Sequence, residues 1–339
     1  MMRPGRMNSI VDVPGVLVGQ ETMAGGSGVT VVLVPGGAVA GVDVSGAAPG
    51  TRETDVLEPE NLVQQIQGVT LAGGSAFGLD AAGGVARYLE ENRRGQPVGE
   101  GRVVPIVPGA VIFDLDAGDS QVRPGAMEGY QAARAADGSA PQMGNVGAGT
   151  GATAAGFKGG VGSASILLPG GIVLGAIAIV NPAGRAFDPL TGQLYARDLL
   201  VPEDSDFELP GLRSEATVGP SDYSDLFPDD ASLAGRNTTI GVIASNARLD
   251  KAQCRRVARA AQDGLARAVR PSHTLFDGDT VFALSTGEVE VSGPSQLARL
   301  GAAAADVFAR AVMRGVLYAQ TAYGYRSYRD LFSEGKGST

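Results

Sequence analysis

The stretch Ser163-Ala164-Ser165-Ile166-Leu167-Leu168-Pro169-Gly170-Gly171-Ile172-Val173-Leu174-Gly175-Ala176-Ile177-Ala178-Ile179-Val180 sets the architecture. Two apolar runs, Ser163 to Leu168 and Ile172 to Val180, flank Pro-Gly-Gly and read as adjacent buried strands joined by a hairpin. The longest apolar run of the chain, Ile166 to Val180, is cut by that turn and is too short to span a bilayer.

Outward from the hairpin, strands and helices fall in clusters. Downstream, Thr239 to Ser245 reads as a strand, Asp250 to Val269 as a helix, Thr280 to Ser285 as a strand and Pro294 to about Gln320 as a long helix. In the last of these, Leu297, Leu300, Ala304, Val307, Ala311 and Leu317 recur at three- and four-residue steps. Upstream, Val11 to Val18, Gly28 to Val34, Val39 to Val44 and Val69 to Ala72 read as strands. Ser75 follows as the cap of a helix from Ala76 to about Arg93. A glycine pair inside a helix, Gly83-Gly84, costs roughly 1–2 kcal/mol relative to alanine and calls for close approach to something flat, a sheet. Clusters rather than strict alternation favour a layered α+β fold over a doubly wound parallel sheet.

Composition narrows the chemistry. The 339 residues are 44% hydrophobic and 19% charged, with 51 glycines that follow no collagen period. Net charge is −9, and the segment Glu203 to Asp230 carries nine acids against the single base Arg213. That segment also holds Pro202, Pro210, Pro220 and Pro228 around it and within it, and its composition marks a flexible acidic linker. With no basic cluster, nucleic acid is not an expected partner. The polar Met1 to Ser9 has no signal-peptide pattern, so a cytoplasmic protein that does not engage the membrane is expected. One cysteine, Cys254, allows no internal disulfide and reads as a structural thiol. With one cysteine and one histidine, His273, no zinc site and no metal or cofactor is expected.

Several motifs fail. The run Gly144-Asn145-Val146-Gly147-Ala148-Gly149-Thr150-Gly151-Ala152 suggests a nucleotide loop, but no helix pattern and no ribose-binding acid follow. Asp114, Asp116 and Asp119 lack the spacing of a calcium loop and read as solvated turn acids. Asp277-Gly278-Asp279 reads as a turn, and His273 as a surface or capping residue. Hydrolysis without histidine remains possible where a Ser, Thr or Cys becomes an N-terminus, because a free α-amine of pKa near 7.7–8.0 can take the hydroxyl proton. Such a residue should open a strand, follow a mobile segment and have a small polar neighbour before it. Asn237-Thr238-Thr239-Ile240-Gly241-Val242-Ile243 meets these loose conditions.

Five segments together carry a resemblance: Gly73-Gly74-Ser75-Ala76-Phe77-Gly78-Leu79-Asp80, Gly144 to Gly151, Gly156-Phe157-Lys158-Gly159-Gly160, Asn237-Thr238-Thr239 and Phe276-Asp277-Gly278-Asp279-Thr280. The chain resembles the DmpA/NylC family of self-processing peptidases and oligoamide hydrolases, from Val11-Asp12-Val13-Pro14-Gly15-Val16 to the final helix. The resemblance implies a four-layer αββα sandwich and one catalytic domain over 1–339, cut between Asn237 and Thr238. The products would be 1–237 and 238–339, with 203–237 as the linker before the cleavage site. It implies Thr238 as nucleophile, its new α-amine as base, and Lys158 beside them lowering the amine's pKa and moving protons. Asn181 would offer its amide to the oxyanion, a contribution of roughly 3–4 kcal/mol in comparable sites. Asp277 and Asp279 would hold Lys158 and the threonine. The implied substrate is a short peptide or a linear oligoamide such as a 6-aminohexanoate oligomer, and the implied assembly is a homotetramer of processed units. Where some aminopeptidase members carry a site tyrosine, this chain aligns Phe113. Two rival readings are an N-acyltransferase of the ornithine/glutamate acetyltransferase type, which also uses a self-released threonine, and an unprocessed non-enzymatic scaffold.

Overall fold

The computed structural model describes residues 3–206, 226–227 and 237–333. Apart from two small two-stranded ribbons, Gln96–Pro97 with Val103–Val104 and Thr153–Ala154 with Phe157–Lys158, its strands form two sheets that share one long member. The first holds β1 (Leu17–Thr22), the first half of β2 (Gly28–Val44), β3 (Ile66–Ala72) and β4 (Gly109–Val111). The second holds β5 (Gly160–Leu168), β6 (Ile172–Val180), β7 (Ile240–Ala247), β8 (Thr280–Val289) and the second half of β2. The hairpin forms as read, with Leu168 opposite Ile172 and Gly160 opposite Val180. Gly170 and Gly171 make its turn at φ +84° and +79°, a region open to glycine. The runs Gly28 to Val34 and Val39 to Val44 are one continuous strand instead of two. The register of β2 shifts between Leu33 and Ala38, where Pro35-Gly36-Gly37 carries it from one sheet into the other.

Helices α1 (Ala81–Glu91) and α2 (Ala126–Arg134) cover the first sheet, and α3 (Lys251–Ala268) and α4 (Gly293–Tyr318) cover the second. Strand periodicity divides the apolar residues among three cores. On β2, Val29, Val31 and Leu33 face Val85, Leu89 and Ala132, while Val32 faces the other way. Between the sheets, Val32, Val69 and Leu71 meet Ile177, Ile179, Val242 and Phe282. Beneath the second helix pair, Leu174 and Ala176 meet Val257, Leu265, Leu300, Val307 and Phe308. Helix, sheet, sheet and helix are thus the four layers of an αββα sandwich.

Local differences have local causes. Val11 to Val18 is not a strand throughout: Ile10–Asp12 is a 3-10 turn, Gly15 has φ +83°, and the strand begins at Leu17. Ser75 does not cap a helix; it sits at φ +54° and opens the 3-10 turn Ser75–Asp80, so α1 starts at Ala81. The close approach expected at Gly83-Gly84 exists, but to a helix. A Cβ on Gly84 would lie 1.7 Å from Ala126 O on α2, and one on Gly129 of α2 would lie 1.9 Å from Ala81 O. Asp250 caps α3, accepting Gln253 N–H at 2.7 Å while Gln253 Oε1 accepts Asp250 N–H. No helix among the described residues is long and apolar enough to cross a membrane.

Most of the acidic linker lies outside the described residues. Its beginning is packed: Asp204 is buried and bonded through both oxygens to Arg310, at 2.8 Å each. Further along, Phe227 stacks on Phe276 with ring centroids 5.6 Å apart.

Candidate active site

Strands β7 and β8 run parallel, so their N-terminal ends lie side by side. The residues that lead into them, Asn237-Thr238-Thr239 and Asp277-Gly278-Asp279, therefore meet. Gly278 N–H donates to Asn237 O at 3.0 Å and Thr280 N–H to Thr239 O at 3.1 Å. The Thr238 hydroxyl, 3% exposed with its residue, donates to the carbonyl of Asn237. Strand β6 runs antiparallel to β7, which brings its last residues to the same place. There Asn181 O accepts Thr238 N–H at 2.7 Å. A Cβ on Gly278 would lie 2.9 Å from Thr238 Oγ1 and 2.6 Å from Ala48 O, so a side chain there would press on the hydroxyl. The loop of residues 45–50 closes over this point, Ala48 N–H donating to Asp277 O and Ser45 N–H to Asp279 O.

Both carboxylates of Asp-Gly-Asp are fully buried. Asp277 accepts Ala183 N–H at 2.9 Å and both the N–H and the hydroxyl of Thr274. Burial, and then the charge of Asp279, raise its pKa above the ordinary carboxylate value. Asp279 accepts Thr239 N–H at 2.7 Å through one oxygen and His273 N–H and Nδ1 through the other, the ring at 2.8 Å. Burial works against a charged His273, but the bond to Asp279 and its charge outweigh that and raise the imidazole pKa. His273, read as a surface or capping residue, thus orients the carboxylate that holds the residue after Thr238.

Lys158 is completely buried in the short strand Phe157–Lys158. Its Nζ donates to Gly149 O at 3.2 Å, Ala152 O at 2.7 Å and Gly159 O at 2.9 Å. Among the described residues it makes no hydrogen bond to Asp277 or Asp279, contrary to the expectation that they hold it. The glycine-rich run presents carbonyl oxygens to an ammonium, the reverse of a phosphate loop, which presents N–H groups. Burial lowers the Lys158 pKa to about 7, with the charge of Asp114 opposing. Asn181 links this part to the rest: its Oδ1 accepts Thr153 N–H at 2.7 Å and its Nδ2 donates to Phe113 O at 3.1 Å.

Asp114 corrects the reading of the turn acids. Asp116 and Asp119 are exposed, but Asp114 is buried and accepts Ser27 Oγ–H at 2.7 Å and Gly74 N–H at 2.6 Å. Burial raises its pKa to about 6, against these bonds and Lys158. The structure brings Asn237, Thr238, Asn181, Asp277 and Asp279 into one hydrogen-bonded group. Lys158 joins it through the hairpin Thr153–Lys158 rather than by direct contact. The residues that sequence reasoning passed over are Asp114, His273 and the N–H of Gly278. Of these, only His273 left a signal, a sole histidine six residues before Asp279.

The model of peptidase family S58 matches residues 8–329. An uncharacterized aminopeptidase of Mycobacterium tuberculosis is 49% identical over 98% of this chain and all of its own length. A 6-aminohexanoate-oligomer endohydrolase of Kocuria sp. is 31% identical over 85% of this chain and 77% of its own. Among solved structures, the L-aminopeptidase D-Ala-esterase/amidase of Ochrobactrum anthropi, described as a variant of the Ntn hydrolase fold, superposes with TM-score 0.74 at 22% identity. That superposition covers 98% of this chain and 96% of that one. A Burkholderia sp. beta-aminopeptidase gives 0.70 at 22% identity, covering 100% and 97%. The chain therefore belongs to peptidase family S58, a hydrolase of peptide or related amide bonds on an Ntn-hydrolase fold.

Proposed function

We propose that the chain cuts its own Asn237–Thr238 bond and then hydrolyses amide bonds with the freed Thr238 as nucleophile. The observation that carries this reading is the Thr238 hydroxyl hydrogen-bonded to the carbonyl of Asn237, with Gly278 N–H on the same oxygen. Attack of Thr238 Oγ on the Asn237 carbonyl carbon moves the acyl group from nitrogen to oxygen. Water then hydrolyses that ester, leaving a carboxylate on Asn237 and a free amine on Thr238. In turnover the α-amine takes the hydroxyl proton as Oγ attacks the substrate carbonyl. That proton passes to the leaving amine, and water releases the acyl group. One Nδ2 hydrogen of Asn181 serves the oxyanion while the other stays on Phe113 O. Lys158, tied to Asn181 through the Thr153–Lys158 hairpin, carries protons in the self-cut and, in turnover, between amine and leaving group. Asp277 and Asp279 fix the loops around Thr238 and Thr239.

The substrate class we infer is short peptides or linear oligoamides such as 6-aminohexanoate oligomers, which the names of the relatives support. Where some aminopeptidase members carry a site tyrosine this chain aligns Phe113, so the proposed site lacks that hydroxyl. A homotetramer of processed units belongs to the same reading, and native mass spectrometry tests it.

Intact mass with N-terminal sequencing tests the mechanism. The expected result is two associated fragments of roughly 24 and 10 kDa, the residue shares of the 34.3 kDa chain, the smaller beginning Thr-Thr-Ile-Gly. Thr238→Ala should remain one chain without amidase activity. An active wild-type preparation that stays in one piece would overturn the reading.

A further inference from the structure

Asp114 is a buried carboxylate that none of the steps above uses. Glycines clear its position on two sides. A Cβ on Gly73 would lie 2.0 Å from Asp114 Oδ2, and one on Gly151 would lie 2.7 Å from Asp114 Cβ. Gly151 belongs to the turn whose flanking residues, Gly149 and Ala152, give their carbonyls to Lys158 Nζ. Asp114 and Lys158 therefore press on one short turn, the first against its Cα and the second against its carbonyls. The residue beside Asp114 reaches the remaining part of the site, since Phe113 O accepts Asn181 Nδ2–H.

Two neutral hydrogen bonds offset only part of the hydration a buried carboxylate loses, so an opposite charge in range stabilises its ionised form. Ser27 and Gly74 supply the donors. Lys158 and Asp114 make no ion pair within 4.0 Å among the described residues, but they lie against the same turn, and each opposite charge favours the ionised form of the other. The two buried carboxylates beside Thr238 have other partners. Asp277 is bonded to Ala183 and Thr274, and Asp279 to Thr239 and His273. Arg326, whose carbonyl accepts Lys158 N–H, points its guanidinium to Asp330 O.

We propose that Asp114 is the counter-ion of Lys158 and, acting through it, a positioning residue for the reaction at Thr238. The proposal rests on the reading of Thr238 and Lys158 given above. Asp114 holds the ammonium charge at the carbonyl cradle and holds the cradle in place. Without it the lysine loses its proton at lower pH, because the opposing charge that favours the ammonium is gone.

The test is the pH dependence of self-processing in freshly translated full-length chain, comparing wild type with Asp114→Asn. Lys158→Met identifies the limb of the rate profile that belongs to the lysine, because that limb disappears with it. In Asp114→Asn the same limb should move toward acid, because the opposite charge that favours the ammonium is gone. A profile that superposes on wild type overturns the proposal, since a purely structural role would lower the rate without moving the limb. A second measurement covers a variant that folds poorly and does not depend on processing. In a Thr238→Ala background, thermal unfolding is compared for Asp114→Asn, Lys158→Met and the double variant. A true pair makes Lys158→Met more stabilising in the Asp114→Asn background than in the chain that keeps Asp114; the same effect of Lys158→Met in both backgrounds overturns the pairing. If the Thr238→Ala chain itself hydrolyses amides, the mechanism at Thr238 fails, while the unfolding comparison still decides the pair.

Discussion

Lys158, under the proposed mechanism, serves chemistry while its burial opposes stability. Its ammonium has exchanged water for three carbonyl oxygens inside the protein. Burial leaves its pKa at about 7 against an ordinary 10.5. Between those values the unfolded chain binds a proton that the folded chain does not, so stability rises with pH through that window. Thermal unfolding of the unprocessed Thr238→Ala chain should therefore show a rise between about pH 8 and 10 that Lys158→Met lacks. Equal slopes in the two chains would mean that Lys158 stays charged throughout. The sequence marked Lys158 only through the motif Gly-Phe-Lys-Gly-Gly; nothing local to it says which groups would surround it. Asp114 was less legible still, because the groups that bury it come from positions 40 and 87 residues away. His273 needed only a partner six residues on, within reach of a local reading.

At the scale of elements, the hairpin and the C-terminal helices were legible because each carries its own periodicity and turn chemistry. The long β2 was not, because Pro35-Gly36-Gly37 reads as a break in a chain whose strand continues through it. The crossing of α1 and α2 is a second case. Gly83-Gly84 announced a close approach, but the partner is set by Gly129 on another helix, which no local pattern reveals. The two glycines of the pair should also behave differently. A Cβ on Gly84 would sit inside contact distance of Ala126 O, while one on Gly83 meets nothing within 4 Å. Gly84→Ala should thus destabilise the protein by about 1–3 kcal/mol or more, since both backbones must separate. Gly83→Ala, relieved of the helix penalty of glycine, should be neutral or stabilising by up to about 1 kcal/mol. Equal unfolding temperatures for the two variants would contradict this crossing.

At the scale of the whole molecule, the proposed cut divides a sheet rather than a pair of domains. In the second sheet β6 from the first fragment pairs with β7 from the second, and β8 from the second pairs with β2 from the first. Two seams of backbone hydrogen bonds would hold the fragments, together with a buried ionic contact between them. Arg310, on α4, lies at 0% exposure and is bonded through its guanidinium to both oxygens of Asp204, to Ser165 O and to Asn8 Oδ1. Arg314, one turn on, donates to the carbonyls of Asn8 and Ser163. Every one of these partners precedes the cleavage site, so the cluster would tie the long C-terminal helix to the larger fragment. It also anchors the beginning of the acidic linker at Asp204. Removing one member strands the other in a dry environment, which costs about 3–5 kcal/mol, whereas replacing both by apolar residues leaves no buried charge unpaired. Asp204→Leu should therefore lower the unfolding temperature sharply and let the processed fragments separate in mild denaturant, as read by native mass. Asp204→Leu with Arg310→Met should recover most of that loss, and failure to recover it would mean that the cluster's geometry, rather than its charge balance, holds the fragments together.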